Sequence, residues 1–593
     1  MKQRTSRFTM LAGALGAGLV TAHASPASAC GGFFCSQSQP VNQAAERIVF
    51  AQNTNGTVTA IIQILYEGPS ENFSWLLPIS SVPDAEGEIA VASDIAFQRL
   101  QAATNPQYTL ATIVDGTCRA SNEQATANSG GPSFAPGADA AEDFDEGGVT
   151  VAASGVVGAF DWTALALSAS LTDPAGAALE WLTDNGYDVL PQSAELIGPY
   201  LESGMYLLAL RLTKGADTGS IRPIVLTYDG DLPSIPIKLT AVAANDDMGV
   251  MTWMLSDARA VPFNYNALEL NEARINWFNA AANYESVVTA AADDSGGQGF
   301  VTEYAGASDT LAQAVWADFE ETQWQNMKGA VYSRFIDLFM NTYSTYGSFD
   351  GFWDVARAHV TLPPSIAWQD FERCPDCYRD YQGELTLAPS SYFAALEADV
   401  IAPVRLVRNL LEANPYATRL YSTLSAGDMT VDPIFTFNGD LPEVSNLHNA
   451  NRIIECSSRV SEFEAPWRIE LPQGGVIRGT PDTVGSWPEQ VAAQPANFRV
   501  LTLSDTGAGL VMEDNSTQIN DMLAQYNASV PGPSSAPPRS SSMAGMTWAG
   551  DSGCGLALPG VGTGRASAGT AAGAGALFAL SLVRRRRARA AAR

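Results

Sequence analysis

RIVFAQNTNGTVTAIIQILY, residues 47–66, sets the character of the chain. Asn55-Gly56 stands between two runs rich in β-branched residues. Asn-Gly suits a hairpin turn because it tolerates the positive φ that a tight reversal needs. Residues 47–51 and 57–66 are therefore read as paired strands. Val58, Ala60, Ile62, Ile64 and Tyr66 alternate onto one face, the period of a strand with a buried side.

Working outward, residues 73–79 read as a third strand. A helix follows from Ser93, placed as its N-cap, to residue 103, before Asn105-Pro106. Residues 149–169 read as strands. A helix over 173–185 has Asp173 as cap, Pro174 at its first position and Gly186 as its stop. A short helix over 193–202 is followed by strands near 205–213, 221–228, 236–244 and 249–256. From residue 268 to 414 apolar residues recur at helical spacing over 271–279, 308–327, 331–343, 349–359 and 391–411, many of them aromatic. Residues 434–512 are irregular and strand-rich, with a last helix over 516–526. The class is α+β, with a β-rich N-terminal part, a mixed α+β middle, a helical segment and a strand-rich C-terminal part.

Both ends carry addresses. Lys2, Arg4 and Arg7 precede an uncharged run over 8–20 and a polar stretch ending Ala27-Ser28-Ala29. That is the layout of a secretory signal, with cleavage expected after Ala29. Lipidation of the new terminal Cys30 is the alternative; Ala27 stands where a lipobox carries a larger aliphatic residue. At the other end, a Pro/Ser linker and Gly553-Cys554-Gly555 lead into an uncharged stretch over 566–583. Arg584, Arg585, Arg586 and Arg587 close it. Eighteen helical residues span about 27 Å, enough for a thin bilayer, so a single C-terminal membrane helix is expected with its arginines left inside.

The resulting division is a signal peptide over 1–29, a β-rich part over 30–118, an acidic disordered loop over 119–148, an α+β part over 149–267, a helical part over 268–414 and an irregular strand-rich part over 415–527. A linker over 528–553 and an anchor or sorting tail over 554–593 complete it.

Between the two addresses 63 acidic residues face 23 basic ones, a net charge of −40. Such a surface repels nucleic acid and anionic headgroups. Seven cysteines occur: Cys30, Cys35, Cys118, Cys374, Cys377, Cys456 and Cys554. Without Cys554 an even set remains, which outside the cytoplasm reads as disulfides whose pairing the sequence does not fix.

Several uncommon words resemble a bacterial exported family known as domain of unknown function 2330. They are CGGFFC at 30–35, PVNQAAER at 40–47, FSWLLP at 73–78, DNGYD at 184–188, GMY at 204–206, DARA at 257–260 with Asn271-Glu272, and FVTEY at 300–304. TRLY at 418–421 and DLPEVS at 440–445 extend the likeness. The resemblance implies an envelope location and brings no activity. The tail resembles the MYXO-CTERM sorting tails, with Cys554 at the motif's cysteine; this implies contact with export and C-terminal sorting machinery, and with the membrane before processing.

The chemical candidates are few. Cys374-Pro-Asp-Cys377 suits a structural disulfide, a thiol–disulfide redox site or half of a zinc site completed by His359 and His448. Asp293-Asp-Ser295-Gly-Gly297 looks superficially like a protease nucleophile loop, but both mature histidines follow Ser295 and the stretch reads as a helix–strand linker. TYDGDLP at 227–233 and TFNGDLP at 436–442 echo each other, so Asp229, Asp231, Asn438 and Asp440 are either turn formers or calcium ligands. No cofactor is otherwise indicated. The expected role is that of an exported, acidic, non-enzymatic binding, adhesion or structural protein. An envelope thiol–disulfide oxidoreductase and a calcium-stabilised surface module are the alternatives.

Overall fold

A computed structural model describes residues 42–67, 74–83, 89–119, 149–158, 160–168, 170–187, 193–212, 222–230, 232–316, 321–380 and 385–530. Within them the chain is a mixed α+β protein. The expected signal peptide, linker and membrane helix lie outside the described residues, apart from the linker's first positions. Those are helical, because the last helix runs from Ser516 to Ser529. Among the described residues no helix is long and apolar enough to cross a membrane.

The hairpin forms as Asn42–Gln52 against Thr57–Glu67. The reversal is a three-residue loop rather than a two-residue one. Asn53 N donates to Thr57 O at 2.9 Å, and Gly56 takes φ +79°, the left-handed position such a loop assigns to glycine. Val58, Ala60, Ile62 and Ile64 share one buried face, as the alternation requires. On the neighbouring strand, Ile48 and Phe50 face the same way, while Val49 and Ala51 face the other. A strand apolar on both sides belongs inside a sheet covered on both faces.

That sheet has ten strands, in the order Leu510–Asp514, Asn497–Thr502, Asn266–Leu270, Gly299–Ala307, Tyr416–Leu424, Ala244–Ser256, Asn42–Gln52, Thr57–Glu67, Ile224–Asp229 and Ile89–Val91. Two neighbouring pairs are parallel: Asn42–Gln52 with Ala244–Ser256, and Asn266–Leu270 with Gly299–Ala307. One face is packed by a four-stranded sheet ordered Ser74–Ile79, Tyr206–Leu212, Phe160–Leu167 and Val149–Val157. Trp75, Leu77, Trp162 and Leu210 meet Phe50, Ile62 and Met254 across this interface. The outer side of the smaller sheet is covered by the helices Pro174–Asp184 and Ser193–Glu202 through Trp181, Leu182 and Ile197. The other face of the large sheet is covered by the helix Asp94–Thr104 and by the helices of residues 284–413, around Phe97, Trp253, Trp324 and Phe339.

The parts read from the sequence are interleaved rather than consecutive. The large sheet draws strands from residues 42–91, 224–307 and 416–514. Within the helical part, Asn266–Leu270 and Gly299–Ala307 are sheet strands, the second lying between two neighbours with its apolar side chains buried. Residues 271–279 form no regular helix beyond the single turn Glu272–Arg274. Asparagine side chains take the backbone there: Ala273 N donates to Asn271 Oδ1 and Phe278 N to Asn276 Oδ1. Of the strand expected over 236–244 only Ala244 is in a strand; Ile237–Thr240 form a short helix, whose Lys238 N donates to Asp432 Oδ1 at 3.0 Å, and residues 241–243 a turn. The helix expected over 391–411 is divided by a wider turn at Glu397–Ile401.

The helix Pro174–Asp184 follows its sequence signals. Gly176 N donates to Asp173 Oδ1 at 2.8 Å, and Gly186 closes the end at φ +79°. Asp173→Ala is expected to lower stability by about 1 kcal/mol, read as a shift of the urea midpoint with unchanged slope.

Candidate functional site

A gathering of buried polar groups lies under the helix Asp94–Thr104, on the face of the large sheet that carries Trp253. Arg419 and Glu303 stand on adjacent strands, Tyr416–Leu424 and Gly299–Ala307, and point inward from them. Each side chain is 1 % exposed, and Arg419 Nε lies 2.5 Å from Glu303 Oε2, an ion pair off the ideal hydrogen-bond axis. A charge is held in such a place only by partners. Arg419 Nη1 donates to Asn105 Oδ1 at 2.7 Å, Thr104 Oγ1 at 3.1 Å and the Gln101 carbonyl at 3.2 Å. Its guanidinium also lies 5.6 Å from the Trp253 ring centroid, while the Trp253 indole donates to Thr104 Oγ1.

The arginine thus sits at the C-terminal end of the helix Asp94–Thr104, where a cation meets the negative end of the helix dipole. The other end is served in the opposite sense. Ser93 occupies the N-cap position, but its hydroxyl donates to Asp350 Oδ1 at 2.6 Å instead of accepting from the helix. Asp350 supplies the acceptor, taking Ile95 N at 3.4 Å, and is itself paired to Arg222 at 3.1 Å. Asp94 and Gln63 lead on to Arg47, which is buried in the same face. Burial lowers the Arg47 pKa, Asp94 opposes that, and the charge of Arg419 adds to it.

On the Glu303 side the network continues outward. Tyr284 donates to Glu303 Oε1 at 2.6 Å. Burial raises the carboxyl pKa of Glu303, with Arg419 and then Tyr284 acting against the rise. Burial first, and nearby carboxylates second, push the phenols of Tyr108 and Tyr284 well above their usual range. Tyr108 stacks on His448 at 4.4 Å with 12° between the rings, their strands running parallel in register. His448 Nδ1 lies 2.7 Å from Glu272 Oε1. A carboxylate only accepts, so the proton of this contact sits on Nδ1. Glu272 Oε2 and the side-chain amide of Gln101 are buried without a partner among the described residues, so the cluster has capacity for ordered water.

This site was not picked out from the sequence, although a signal was present. A lone acid in FVTEYAG and a lone base in ATRLY interrupt apolar strands, and inward-facing charges there must find each other. Arg47, Glu272, Glu303 and Arg419 come from four separate words of the family resemblance; Arg47, Glu303 and Arg419 stand on strands of the large sheet, and Glu272 on the turn that follows the strand Asn266–Leu270.

The other candidates are placed as follows. Cys118 and Cys456 form a disulfide across 338 residues, with Cα atoms 4.9 Å apart. Cys374 and Cys377 form a second, with Cα atoms 5.4 Å apart. Both sulfurs of the second pair are engaged with each other, so they are not thiolate ligands, and the zinc set with His359 and His448 is not assembled. Cys30, Cys35, Cys554 and Arg584 to Arg587 lie outside the described residues.

Asp231 is also outside them. Asp229 ends its strand, where its backbone N–H donates to Ser81 Oγ. Asn438 Nδ2 donates to the carbonyls of Ser504 and Gly507, its Oδ1 accepts from Asp440 N, and Asp440 Oδ2 accepts from Gly507 N. The side chains of Asn438 and Asp440 are thus engaged in turn hydrogen bonds. Among the described residues no group of three or more His, Cys, Asp or Glu side chains is arranged to hold a metal ion. Residues 293–297 link the helix Tyr284–Asp294 to the strand Gly299–Ala307, with Gly296 and Gly297 at φ +72° and +73°. Arg119, the first residue of the expected acidic loop, is tied to Glu464 at 2.9 Å; residues 120–148 are outside the description.

No curated protein and no solved structure matches the chain. A family profile matches residues 24–322, half of the chain; it covers Arg47, Glu272 and Glu303 and stops short of Arg419 and His448. The chain belongs to the family described as an uncharacterized protein conserved in bacteria (DUF2330).

Proposed function

We propose that this is an exported protein held at the cell envelope, an acidic body with a binding or structural task rather than a catalytic one. The observation that carries the reading is the pair of disulfides. Cys118–Cys456 joins distant parts of the chain, and bonds of that kind persist in oxidising compartments. The secretory layout of residues 1–29 and the arginine-closed tail point the same way. The net charge of −40, from 23 basic and 63 acidic residues, directs attention to neutral or cationic partners. The polar cluster supports a mechanical role, since Arg419 and Asp350 spend their hydrogen bonds on the two ends of one helix.

The test is mass spectrometry of the protein isolated from its native envelope without reduction. A mature chain starting at Cys30, with Cys118–Cys456 intact and a C-terminus near Cys554, is the expected result. Recovery from the cytoplasm with residues 1–29 attached and the cysteines as free thiols would overturn the proposal.

A further inference from the structure

The two disulfides differ in a way that assigns them different tasks. Cys118 and Cys456 are both half-buried, and the bond closes 338 residues of chain. Cys374 is half-buried, Cys377 is exposed, and their bond closes a separation of 3. A bond that restrains the unfolded chain strongly is in turn held strongly by folding; a bond across a four-residue loop gains little from the fold.

The turn around the second pair is also fastened without its sulfurs. Cys374 N donates to Asp370 O at 3.3 Å, and Cys377 N to Cys374 O at 3.1 Å. Phe371 on one side and Pro375 between the cysteines are buried, and Phe371 meets Tyr378 at 5.5 Å. Opening this disulfide therefore leaves the two sulfurs as neighbours on an intact surface turn. The chain around Cys118–Cys456 is fastened by its backbone too, with Cys456 N donating to Asp115 O at 2.8 Å and Arg119 N to Val460 O at 2.9 Å, so the two bonds differ in loop size and exposure.

We infer that Cys374–Cys377 is a thiol-exchange site, accessible in the folded protein, whose partner is a protein dithiol. A partner thiolate attacks the exposed Cys377 Sγ. The Cys374–Cys377 bond breaks, a mixed disulfide forms, and Cys374 leaves as a thiolate that takes a proton from water. The partner's second thiol then gives up its proton and attacks the partner's own sulfur in the mixed disulfide. That releases Cys377 as a thiolate, which is protonated in turn. Two electrons and two protons pass from the partner dithiol, which becomes a disulfide, to the Cys374–Cys377 pair. This goes beyond the envelope reading and does not depend on the identity of any surface ligand.

The probe is dithiothreitol. The oxidised full-length chain is equilibrated at graded ratios of reduced to oxidised dithiothreitol, alkylated and mapped by peptide mass spectrometry, with circular dichroism in parallel. Cys374–Cys377 is expected to be half reduced at a ratio at least tenfold lower than Cys118–Cys456, with the dichroism unchanged. Equal ratios, the reverse order, or opening only together with loss of dichroism would overturn the inference. Single variants locate the attacked sulfur. With oxidised glutathione, Cys374→Ser, which leaves the exposed thiol, is expected to form its mixed disulfide at least fivefold faster than Cys377→Ser. Equal rates would remove Cys377 from the role.

Discussion

Arg419→Met is expected to destabilise the protein by about 3–5 kcal/mol, because it leaves the Glu303 carboxylate buried without its cation. The same substitution withdraws three hydrogen bonds from the end of the helix Asp94–Thr104. The loss should depend on pH with a definite sign. Burial already raises the Glu303 pKa in the folded chain, and removing Arg419 raises it further. A carboxyl whose folded pKa lies above its unfolded one favours folding below the unfolded value and loses that contribution as pH rises through the folded value. The gap between wild type and Arg419→Met is therefore smallest in acid, below the ordinary glutamate carboxyl value of 4.5, and widens toward neutrality. Urea titrations at several pH values measure it. A gap that stays flat, or narrows with rising pH, contradicts the assignment. Glu303→Leu combined with Arg419→Met should cost less than Arg419→Met alone, since no unpaired charge remains.

The second large effect is expected at Cys118–Cys456. Loop-closure entropy gives about 6 kcal/mol for a separation of this size and about 2 kcal/mol for a four-residue loop. Losses on removing native disulfides run nearer 2–5 kcal/mol. The double serine variant at 118 and 456 is thus expected to lose several times more stability than the one at 374 and 377. Thermal melting of both without reductant decides the order. Comparable losses would mean that the strand Gln107–Asp115 is held by its pairing with Leu447–Glu455 rather than by the bond at its end.

What could be read from residues alone followed the range of the forces involved. The hairpin over 42–67 and the helix Pro174–Asp184 are specified by neighbours: Asn-Gly at a reversal, Asp173 and Gly186 at two ends. Residues 236–244 misled because alternating Ile237 and Leu239 suit a strand, while Asp432, which accepts from Lys238 N in the short helix, lies far away in sequence. Gly299–Ala307 was hidden inside a helical stretch for a similar reason, since its pairing partners include residues 416–421. The polar cluster needed the fold itself. Nothing local to Arg419 says that Glu303 is beside it, and only the register of two strands brings them together.

The position of Tyr416–Leu424 in the large sheet governs the order in which the protein can be made. It lies between Gly299–Ala307 and Ala244–Ser256, both of which emerge earlier. Until residue 424 arrives, each of those strands presents a bare edge of amide and carbonyl groups, and the charge of Glu303 has no counterpart. A nascent chain carrying the whole family-matched segment, 24–322, is still two half-sheets with sticky margins. Completion is thus a late, long-range event of the kind that folds slowly. A chain that closes only near its end stays threadable for most of its synthesis, the form in which a polypeptide passes through a narrow channel. Residues 416–424 act as the key that locks two separate half-sheets into one.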